Sequence, residues 1–440
     1  MKHWQNWDKR VRCQPALWAC PETEQALAAQ VAQWSHAGRH IRVAGSGHSF
    51  TPLVASNDVL VSLDNLTGLI DVDNERNEVE VWAGTPLHQL GPLLATHDLA
   101  QHNLGDIDAQ TLAGAVATGT HGTGTGLGSL SDQVRGFTLI SADGTLHHCD
   151  RDNDPDLFAG GRLGLGVLGI LSRIRLAVRP DYRLHLTTER GTLDYCLAEA
   201  QNIADAHRHF EFFWFPGTPH TMMKFGDETR APSRPMKPWQ RLLDDVVENG
   251  AFGAMSRMAR ALPRLSPTVA STAGRLVGST DTIDTAHRSF PSPRRVRFHE
   301  MEYSLPRQAL IPALQAIRAQ ISRKRYNVFF PVECRFAAAD DIWLSPNYQR
   351  DSAFIAVHMY RGMPFEAYFR DIQAILREHG GRPHWGKWHS LTATELAPLY
   401  LRWSDFQALR QRLDPSGCFL NPYLHDLLGV DTAPHSQEPQ

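Results

Sequence analysis

Short runs of apolar residues, some of them alternating with polar ones, recur through the first 180 residues of the chain. Glu78 to Trp82 alternates with period two, which is typical of a strand with one buried face. Ile41 to Ala44 and Val59 to Leu63 are shorter apolar runs that also predict strands. Phe137 to His148 carries an Asp-Gly turn between two such runs and predicts a β-hairpin. Strands are therefore expected to dominate this part of the chain.

Helical spacing of apolar residues marks three further segments. Leucines between Thr85 and Thr96 predict a helix with Thr85 as its N-cap. Phe365 to His379 predicts a helix that ends at a pair of glycines, and Ser404 to Leu413 predicts another. Residues 227–295 are rich in arginine, methionine, alanine and proline, and they predict helices and loops that either pack on a domain edge or touch a membrane or partner. The length of 440 residues fits two or three domains.

Two strands predicted in the second half of the chain carry polar side chains on one face. In the first, apolar residues at every second position alternate with Glu333 and Arg335; in the second, His358 and Tyr360 share a face. A carboxylate beside a guanidinium keeps both groups charged, and in a pocket the pair can grip hydroxyl or lactone oxygens. A surface ion pair and a histidine packed in the core are the alternatives. These strands are predicted within 326–336 and 352–360, after an aromatic strand at Glu211 to Phe215.

Two stretches rich in glycine and other small residues lie in the first part of the chain. Gly45 to Ser49 follows a strand, and its glycines allow backbone N–H groups to approach an anion. It lacks the Gly-x-Gly-x-x-Gly spacing of a Rossmann fold. From Asn103 to Gly124, threonine hydroxyls can bond phosphate oxygens. A tight turn and a closely packed small-residue helix are the alternatives, but two such loops beside a run of strands indicate a dinucleotide site.

Composition and charge narrow the class of protein. The chain is 42% hydrophobic and 21% charged, as globular proteins are, and its net charge of −3 excludes a general nucleic-acid binder. The six cysteines form no Cys-x-x-Cys pair and Met1 to Arg12 lacks an apolar signal segment, so a cytoplasmic location is predicted. No apolar stretch of about eighteen residues predicts a transmembrane helix, whereas peripheral membrane contact stays open. No metal site is predicted.

The segments Ala44 to Ser49 and Ala113 to Gly122 together resemble the FAD domain of the vanillyl-alcohol oxidase superfamily. Within it, the chain resembles the sugar-lactone and alditol oxidases through Glu333-Cys334-Arg335, Asp340 to Pro346, His384-Trp385-Gly386-Lys387 and Phe419-Leu420-Asn421. The resemblance covers residues 10–428 and implies an α+β, two-domain FAD-binding fold of the PCMH/VAO type with a cap domain made of a sheet and helices. The expected parts are an FAD-binding domain at 1–178, a substrate (cap) domain at 179–410 and a C-terminal segment at 411–440 that returns to the FAD domain.

The resemblance also implies how the cofactor is held. In the family, the histidine after the first glycine loop is bonded covalently to the 8α-methyl group of the flavin, and here this is His48. A neutral imidazole is a competent nucleophile; the alternative is a histidine that only hydrogen-bonds FAD. His121 is expected to help hold the flavin and its loop. The residues expected to bind FAD are Val43, Ala44, Gly45, Ser46, Gly47, His48, Ser49, Gly105, Thr111, Gly114, Thr118, Gly119, Thr120, His121, Ile170 and His384.

On the substrate side, Glu333 and Arg335 match the family's pair that binds and orients the substrate. Lys387 matches a lysine near flavin and substrate, where a cation can stabilise negative charge on the reduced ring. Asp106 stands where some alditol oxidases have serine, so its role stays open. The proton acceptor is open between His358 and Glu333. The expected catalytic set is Glu333, Arg335, Lys387, His358, Tyr360 and Asp106.

These assignments predict oxidation of a sugar-derived alcohol by hydride transfer to flavin N5, with molecular oxygen as the acceptor and hydrogen peroxide as a product. Gly105 matches a position that gates oxygen, where glycine favours an oxidase and alanine a dehydrogenase. Met359 to Arg361 and Leu413 to Leu424 favour an aldono-1,4-lactone (D-arabinono-, L-gulono- or L-galactono-) over an alditol such as xylitol or sorbitol. A dehydrogenase with a non-oxygen acceptor and a flavin-binding protein without turnover are the remaining alternatives.

Overall fold

A computed structural model describes residues 3–237, 250, 252–291 and 295–430, and it contains both strands and helices throughout. The strands are β1 (Trp4–Gln5), β2 (Arg12–Cys13), β3 (Leu17–Ala19), β4 (Ile41–Ala44), β5 (Val59–Ser62), β6 (Leu69–Asp73), β7 (Glu78–Trp82), β8 (Leu99–Ala100), β9 (Val134–Ile140), β10 (Leu146–Asp150), β11 (Ile170–Ala177), β12 (Arg179–Pro180), β13 (Arg183–Thr192), β14 (His209–Trp214), β15 (His220–Thr229), β16 (Thr280–Thr285), β17 (Phe298–Pro306), β18 (Val332–Ala337), β19 (Ser352–Tyr360) and β20 (Arg382–Pro383). The helices are α1 (Glu24–His36), α2 (Leu87–Ala95), α3 (Leu112–Thr118), α4 (Pro155–Gly161), α5 (Leu193–Ala206), α6 (Phe252–Ala261), α7 (Ser266–Leu276), α8 (Ala286–Ser289), α9 (Leu310–Lys324), α10 (Glu366–Glu378), α11 (Ala393–Leu396), α12 (Trp403–Leu413) and α13 (Pro422–Leu428).

The first half of the fold is built on two small sheets. A parallel sheet has the strand order β3-β5-β4, and an antiparallel sheet has the order β10-β9-β11-β7-β6. The predicted hairpin is confirmed as β9 and β10, and Gly144 supplies the positive φ of +80° that its turn requires. The strand predicted from period-two alternation is β7, whose Val79 and Val81 are buried.

The second half is built on one large antiparallel sheet with the order β16-β13-β15-β14-β18-β19-β17-β20. Helices α5, α9 and α10 pack against it. The predicted helix α10 buries Tyr368, Phe369, Ile372 and Leu376 and ends just before Gly380, which has a φ of +75°. The other face of the sheet carries polar side chains, and it is turned towards the first half of the chain.

Two local predictions were wrong. Thr85 does not cap α2: its hydroxyl donates to the Trp82 carbonyl at 2.6 Å and accepts from Gly68 N, so Pro86 is the capping residue. The segment 227–295 contains strand β16 in addition to helices, because the polar sequence Thr280 to Thr285 pairs with β13 at the edge of the large sheet. Such an edge strand lacks the apolar alternation by which strands are recognised. Residues 238–249, 251 and 292–294 of that segment lie outside the described part.

The last described residues return to the first half of the chain. Asn421 caps α13 by accepting a hydrogen bond from Leu424 N, and its side-chain amide donates to the carbonyls of Pro52 and Ala55. The Ile41 N–H donates to the Cys418 carbonyl at 2.7 Å. The domain bounds at 178 and 410 stay predictions. Among the described helices, none has the length and apolar character needed to cross a bilayer, and the cytoplasmic location also stays a prediction.

Candidate active site

A cavity of about 1350 Å³ lies between the glycine-rich loops of the first half and the polar face of the large sheet. Typical small-molecule sites have volumes of about 300–1,000 Å³, so this one has room for a large cofactor together with a substrate. One wall is made by small residues of the loops that follow β4 and precede α3. The opposite wall is made by side chains of β14, β17, β18 and β19.

The two glycine loops approach each other so closely that only glycine fits at their contact. A Cβ atom on Gly45 would lie 2.5 Å from Thr111 Oγ1, which is well inside van der Waals contact. The Thr111 hydroxyl caps α3 by accepting from Gly114 N at 3.3 Å. Gly47 has a φ of +72°, a conformation that other residues rarely adopt. The loops therefore form a cradle of exposed backbone, as the cofactor site requires.

The structure brings nearly all predicted cofactor residues to the cavity wall. Gly119 is the exception: it ends α3 in the left-handed conformation, with a φ of +73°, so its role in the loop is conformational. The lining residues from the predicted set are Val43, Ala44, Gly45, Ser46, Gly47, His48, Ser49, Gly105, Thr111, Gly114, Thr118, Thr120, His121, Ile170 and His384.

His48 lies in the cradle with its ring stacked against Trp7 at a centroid distance of 5.8 Å. Burial, helped by the positive charge of Lys387, lowers the pKa of His48 to about 4. The imidazole is therefore neutral at physiological pH, which is the form that can act as a nucleophile.

Arg42, which was not identified from the sequence, fixes the floor of the cradle. Its buried guanidinium donates to the carbonyls of Leu53, Leu165, Gly166 and Phe419 at 2.5–2.9 Å. Those carbonyls belong to three separate segments of the chain. Arg42 is therefore a structural clamp that holds the two ends of the chain together beneath the cofactor loops.

On the opposite wall, Arg335 lies among three carboxylates. Its Nε donates to Glu211 at 2.8 Å, and its Nη2 contacts both Asp106 and Glu333. The strand register explains the contact with Glu211. Phe213 of β14 pairs with Glu333 in antiparallel register, so Glu211, two residues before Phe213, lies on the same face and beside Arg335. On the other side of β18, Arg335 pairs with Phe354 of β19. Glu211 also binds Lys224 at 3.3 Å. The predicted pair of Glu333 and Arg335 is thus part of a larger buried cluster.

The cluster changes the charge expected for Glu333. Side by side with Arg335 alone, the carboxylate would be expected to stay ionised. Instead, burial together with the negative charges of Glu211 and Asp106 outweighs Arg335 and raises the pKa of Glu333 to about 7. Three carboxylates share one guanidinium, so the cluster carries an excess of negative charge, and Glu333 can take up a proton near neutral pH.

Lys387 and His358 meet at a fourth carboxylate, Glu300. Lys387 Nζ lies 2.6 Å from Glu300, and His358 Nε2 lies 3.6 Å from Glu300 and 3.8 Å from Glu333. Burial alone would raise the pKa of Glu300, but the two cationic partners lower it to about 2. Burial alone would lower the pKa of His358, and Glu300 with Glu333 raises it. His358 Nδ1 also donates to the Pro331 carbonyl at 3.0 Å.

Glu302 joins the sheet to the glycine-rich loop. Its carboxylate lies 3.3 Å from His121 Nε2, and the His121 ring stacks on Phe354 at 3.7 Å. Burial alone would raise the pKa of Glu302, but His121 and Lys387 hold it well below its usual range. Burial lowers the pKa of His384 to about 4, and its Nδ1 accepts a hydrogen bond from Gly386 N. His384 is therefore neutral, with its proton on Nε2.

Sequence reasoning missed Glu211, Glu300 and Glu302. Glu300 and Glu302 are two positions apart and alternate with Met301 and Tyr303, and this alternation is the signal that could have revealed them. Of the predicted catalytic residues, the structure separates Tyr360 from the others. Its strand ends at this point, and the residue lines a different pocket of about 710 Å³.

The cradle of backbone and small residues fits FAD, and the acid–base wall faces the same cavity; together they define a flavin-dependent oxidoreductase that acts on CH–OH groups. The chain belongs to the D-arabinono-1,4-lactone oxidase family, whose model matches residues 174–427, and an FAD binding domain matches residues 15–150. The resemblance and the fold class predicted from the sequence are thereby confirmed.

Individual relatives match over almost the whole chain. L-Gulono-1,4-lactone dehydrogenase of Mycobacterium tuberculosis is 37% identical, covering 97% of this chain and 99% of the relative. L-Gulonolactone oxidase of Bos taurus is 30% identical, covering 96% and 97%. Alditol oxidase of a Streptomyces species is 31% identical, covering 87% and 89%. Cholesterol oxidase from Brevibacterium sterolicum has the same fold, with a TM-score of 0.83 at 18% identity over 97% of this chain and 96% of that one.

Proposed function

We propose that this protein oxidises an aldono-1,4-lactone, of the L-gulono-, L-galactono- or D-arabinono- type, at a secondary hydroxyl group. The observation that carries the proposal is the buried cluster of Arg335, Glu333, Glu211 and Asp106, which faces the glycine cradle across one cavity. Relatives named for lactone oxidation or dehydrogenation support the substrate class. FAD supplies the hydride acceptor.

Arg335 is the group best suited to hold the reacting hydroxyl. It is buried and its charge is secured by three carboxylates, so it can donate to a substrate oxygen without losing its own position. As the C–H bond gives up its hydride, the hydroxyl must lose its proton. A guanidinium beside the oxygen stabilises the negative charge that develops there.

Glu333 is our choice for the group that takes this proton. Its pKa of about 7 lies near the working pH, where a general base is most effective. His358 is the alternative, but its raised pKa favours the protonated form, and its Nδ1 is already engaged with the Pro331 carbonyl. His358 and Lys387, both held by Glu300, then serve as fixed positive charges beside the reacting centre.

The acceptor we propose is molecular oxygen, with a dehydrogenase as the second candidate. Gly105 lines the cavity, and a Cβ there would lie only 3.3 Å from Thr120 Cγ2 and 3.4 Å from the His121 carbonyl. A methyl group there would therefore crowd this part of the cavity wall. The second candidate, a dehydrogenase with an acceptor other than oxygen, is supported by the Mycobacterium tuberculosis relative, which is named a dehydrogenase.

The substrate and acceptor are tested together by a panel of gulono-, galactono- and arabinono-1,4-lactones, xylitol and sorbitol. Hydrogen peroxide is measured in air, and dye reduction is measured without oxygen. Lactone-dependent peroxide formation is expected. Turnover with polyols alone would show that the substrate is an alditol and not a lactone. Dye reduction without peroxide formation would show that the electron acceptor is not oxygen. Failure of every compound to bleach the flavin would contradict the proposal.

We also propose that FAD is bonded covalently to His48, because the neutral imidazole lies in the cradle, where its ring stacks on Trp7. Acid-precipitated wild-type protein should form a yellow pellet. His48→Ala should release its flavin into the supernatant, whereas His121→Ala, which changes another cavity histidine, should keep a yellow pellet. A colourless wild-type pellet would contradict the proposed covalent bond.

A further inference from the structure

A second pocket of about 710 Å³ lies outside the cofactor cavity, and its wall is strongly basic. It is formed where the N-terminal segment, helix α6, the chain before β17 and the turn after β19 come together. Seven of its lining residues are lysine or arginine. They are Lys9, Arg10, Arg257, Arg260, Arg295, Arg297 and Arg361, and we call this set the arginine pocket.

Most of these cations have no carboxylate partner in the part of the chain that the structure describes. Apart from Arg295, which has a partner of its own, none of the pocket's lysine and arginine side chains makes an ion pair with a carboxylate there. Asp8 is the acidic residue among the lining residues, and its contacts are with other groups of the same lining: its Oδ2 binds His299 Nδ1 at 2.9 Å and its Oδ1 accepts from the backbone N–H of Arg10. Other arginines of the same chain do find carboxylates, as Arg173 does with Glu24 and Arg179 with Glu228.

The concentration of positive charge is local, because the whole chain has a net charge of −3. Bringing seven cations to one concave surface costs electrostatic free energy unless anions lie close to them. Guanidinium groups present forked donors that match the oxygens of a phosphate, and several together suit a ligand with more than one negative charge.

We propose that the arginine pocket binds a phosphate-bearing anion. The ligand is either a small free phosphate compound or the headgroup of an anionic phospholipid, which share this chemistry. The lipid source has one structural argument of its own. Met258, on the helix that supplies Arg257 and Arg260, and Leu262, directly after the end of that helix, have exposed fractions of 45% and 58%. An exposed apolar pair beside arginines is the arrangement with which helices lie on anionic membranes.

The first experiment is calorimetric titration of the FAD-bound protein with inorganic pyrophosphate at low ionic strength. The double variant Arg257→Ala/Arg260→Ala should weaken binding at least about tenfold, because two charge-assisted contacts are lost. The control Arg264→Ala/Arg275→Ala removes the same charge from exposed positions nearby that do not line the pocket. The control should bind like the wild type. Flavin absorbance and circular dichroism check that both variants are folded.

The second experiment is flotation with phosphatidylcholine vesicles, with and without phosphatidylglycerol. Retention that needs phosphatidylglycerol, and that falls in both Arg257→Ala/Arg260→Ala and Met258→Ser/Leu262→Ser, identifies the lipid source. Pyrophosphate binding without vesicle retention identifies a free phosphate compound. The proposal is overturned if the wild type binds neither probe, or if the control variant loses binding as much as the pocket variant does.

Discussion

The two walls of the cavity are made in different ways. The cofactor cradle comes from contiguous stretches of sequence in which backbone does the binding, and a close contact such as that of Gly45 with Thr111 leaves no room for a side chain. The opposite wall comes from four strands, and its chemistry exists only because β-sheet register places Glu211, Glu300, Glu302, Glu333 and Arg335 on one face. The cradle should therefore be sensitive mainly to substitutions that add a side chain where backbone segments are in close contact. The sheet wall should be sensitive to the removal of any of its charges.

Removing the guanidinium of Arg335 is the strongest test of this difference. Arg335→Leu leaves three buried carboxylates without their shared partner, so we expect kcat/KM for the lactone to fall about 10³-fold. Unfolding should become easier by about 3–5 kcal/mol. Arg335→Lys keeps the positive charge but loses the forked N–H donors of the guanidinium. Compared with Arg335→Leu, it should restore more of the stability than of the activity. Steady-state kinetics and thermal unfolding measure both effects, and unchanged kinetics in the leucine variant would contradict our assignment.

Replacing the proposed base gives the next largest effect. In the wild type, the unprotonated form of Glu333 grows as the pH rises through about 7, so kcat should rise over that range and then level off. Glu333→Gln should lower kcat about 10²-fold and abolish this dependence. Glu211→Gln removes a neighbouring carboxylate that also contacts Arg335 and helps raise the pKa of Glu333, so it should keep a pH dependence but move it to lower pH. A pH profile that survives in Glu333→Gln would move the base to another residue.

Replacing Glu300, which acts through Lys387 and His358, should have a smaller effect on catalysis. Glu300→Gln should lower the pKa of His358, because its largest stabilising partner is lost, and should reduce kcat/KM about tenfold by freeing Lys387. Histidine NMR signals follow the pKa directly. Glu302→Gln is the matched control, since it alters the contact with His121 and should leave the titration of His358 nearly unchanged.

The smallest expected effect tests the cradle. Gly105→Ala should lower the ratio of peroxide formation to anaerobic dye reduction several-fold, because the added methyl group lies against Thr120 and the His121 carbonyl. Gly126→Ala is the control, as a Cβ at Gly126 has nothing within 4 Å. An equal ratio in all three proteins would mean that Gly105 does not control access of oxygen.

The same division explains what the sequence could predict. The glycine loops, the hairpin of β9 and β10 and the helix α10 were recognisable because their signals are local: spacing, turn residues and a terminal glycine. Glu300 and Glu302 were missed because their importance depends on which strand lies beside β17. The strand β16 was missed because its partner, rather than its own sequence, makes it a strand. Tyr360 shares the alternation of His358, but the end of the strand carries it to a different pocket.

The clamp made by Arg42 has a consequence for how the protein is assembled during synthesis. Its partners include Phe419, 377 positions later in the sequence, and the N–H of the neighbouring Ile41 donates to the Cys418 carbonyl. The nucleotide-binding half therefore stays incomplete until residues 418 and 419 have been synthesised. Chains truncated before Cys418 should therefore fail to retain FAD even though both glycine-rich loops are present.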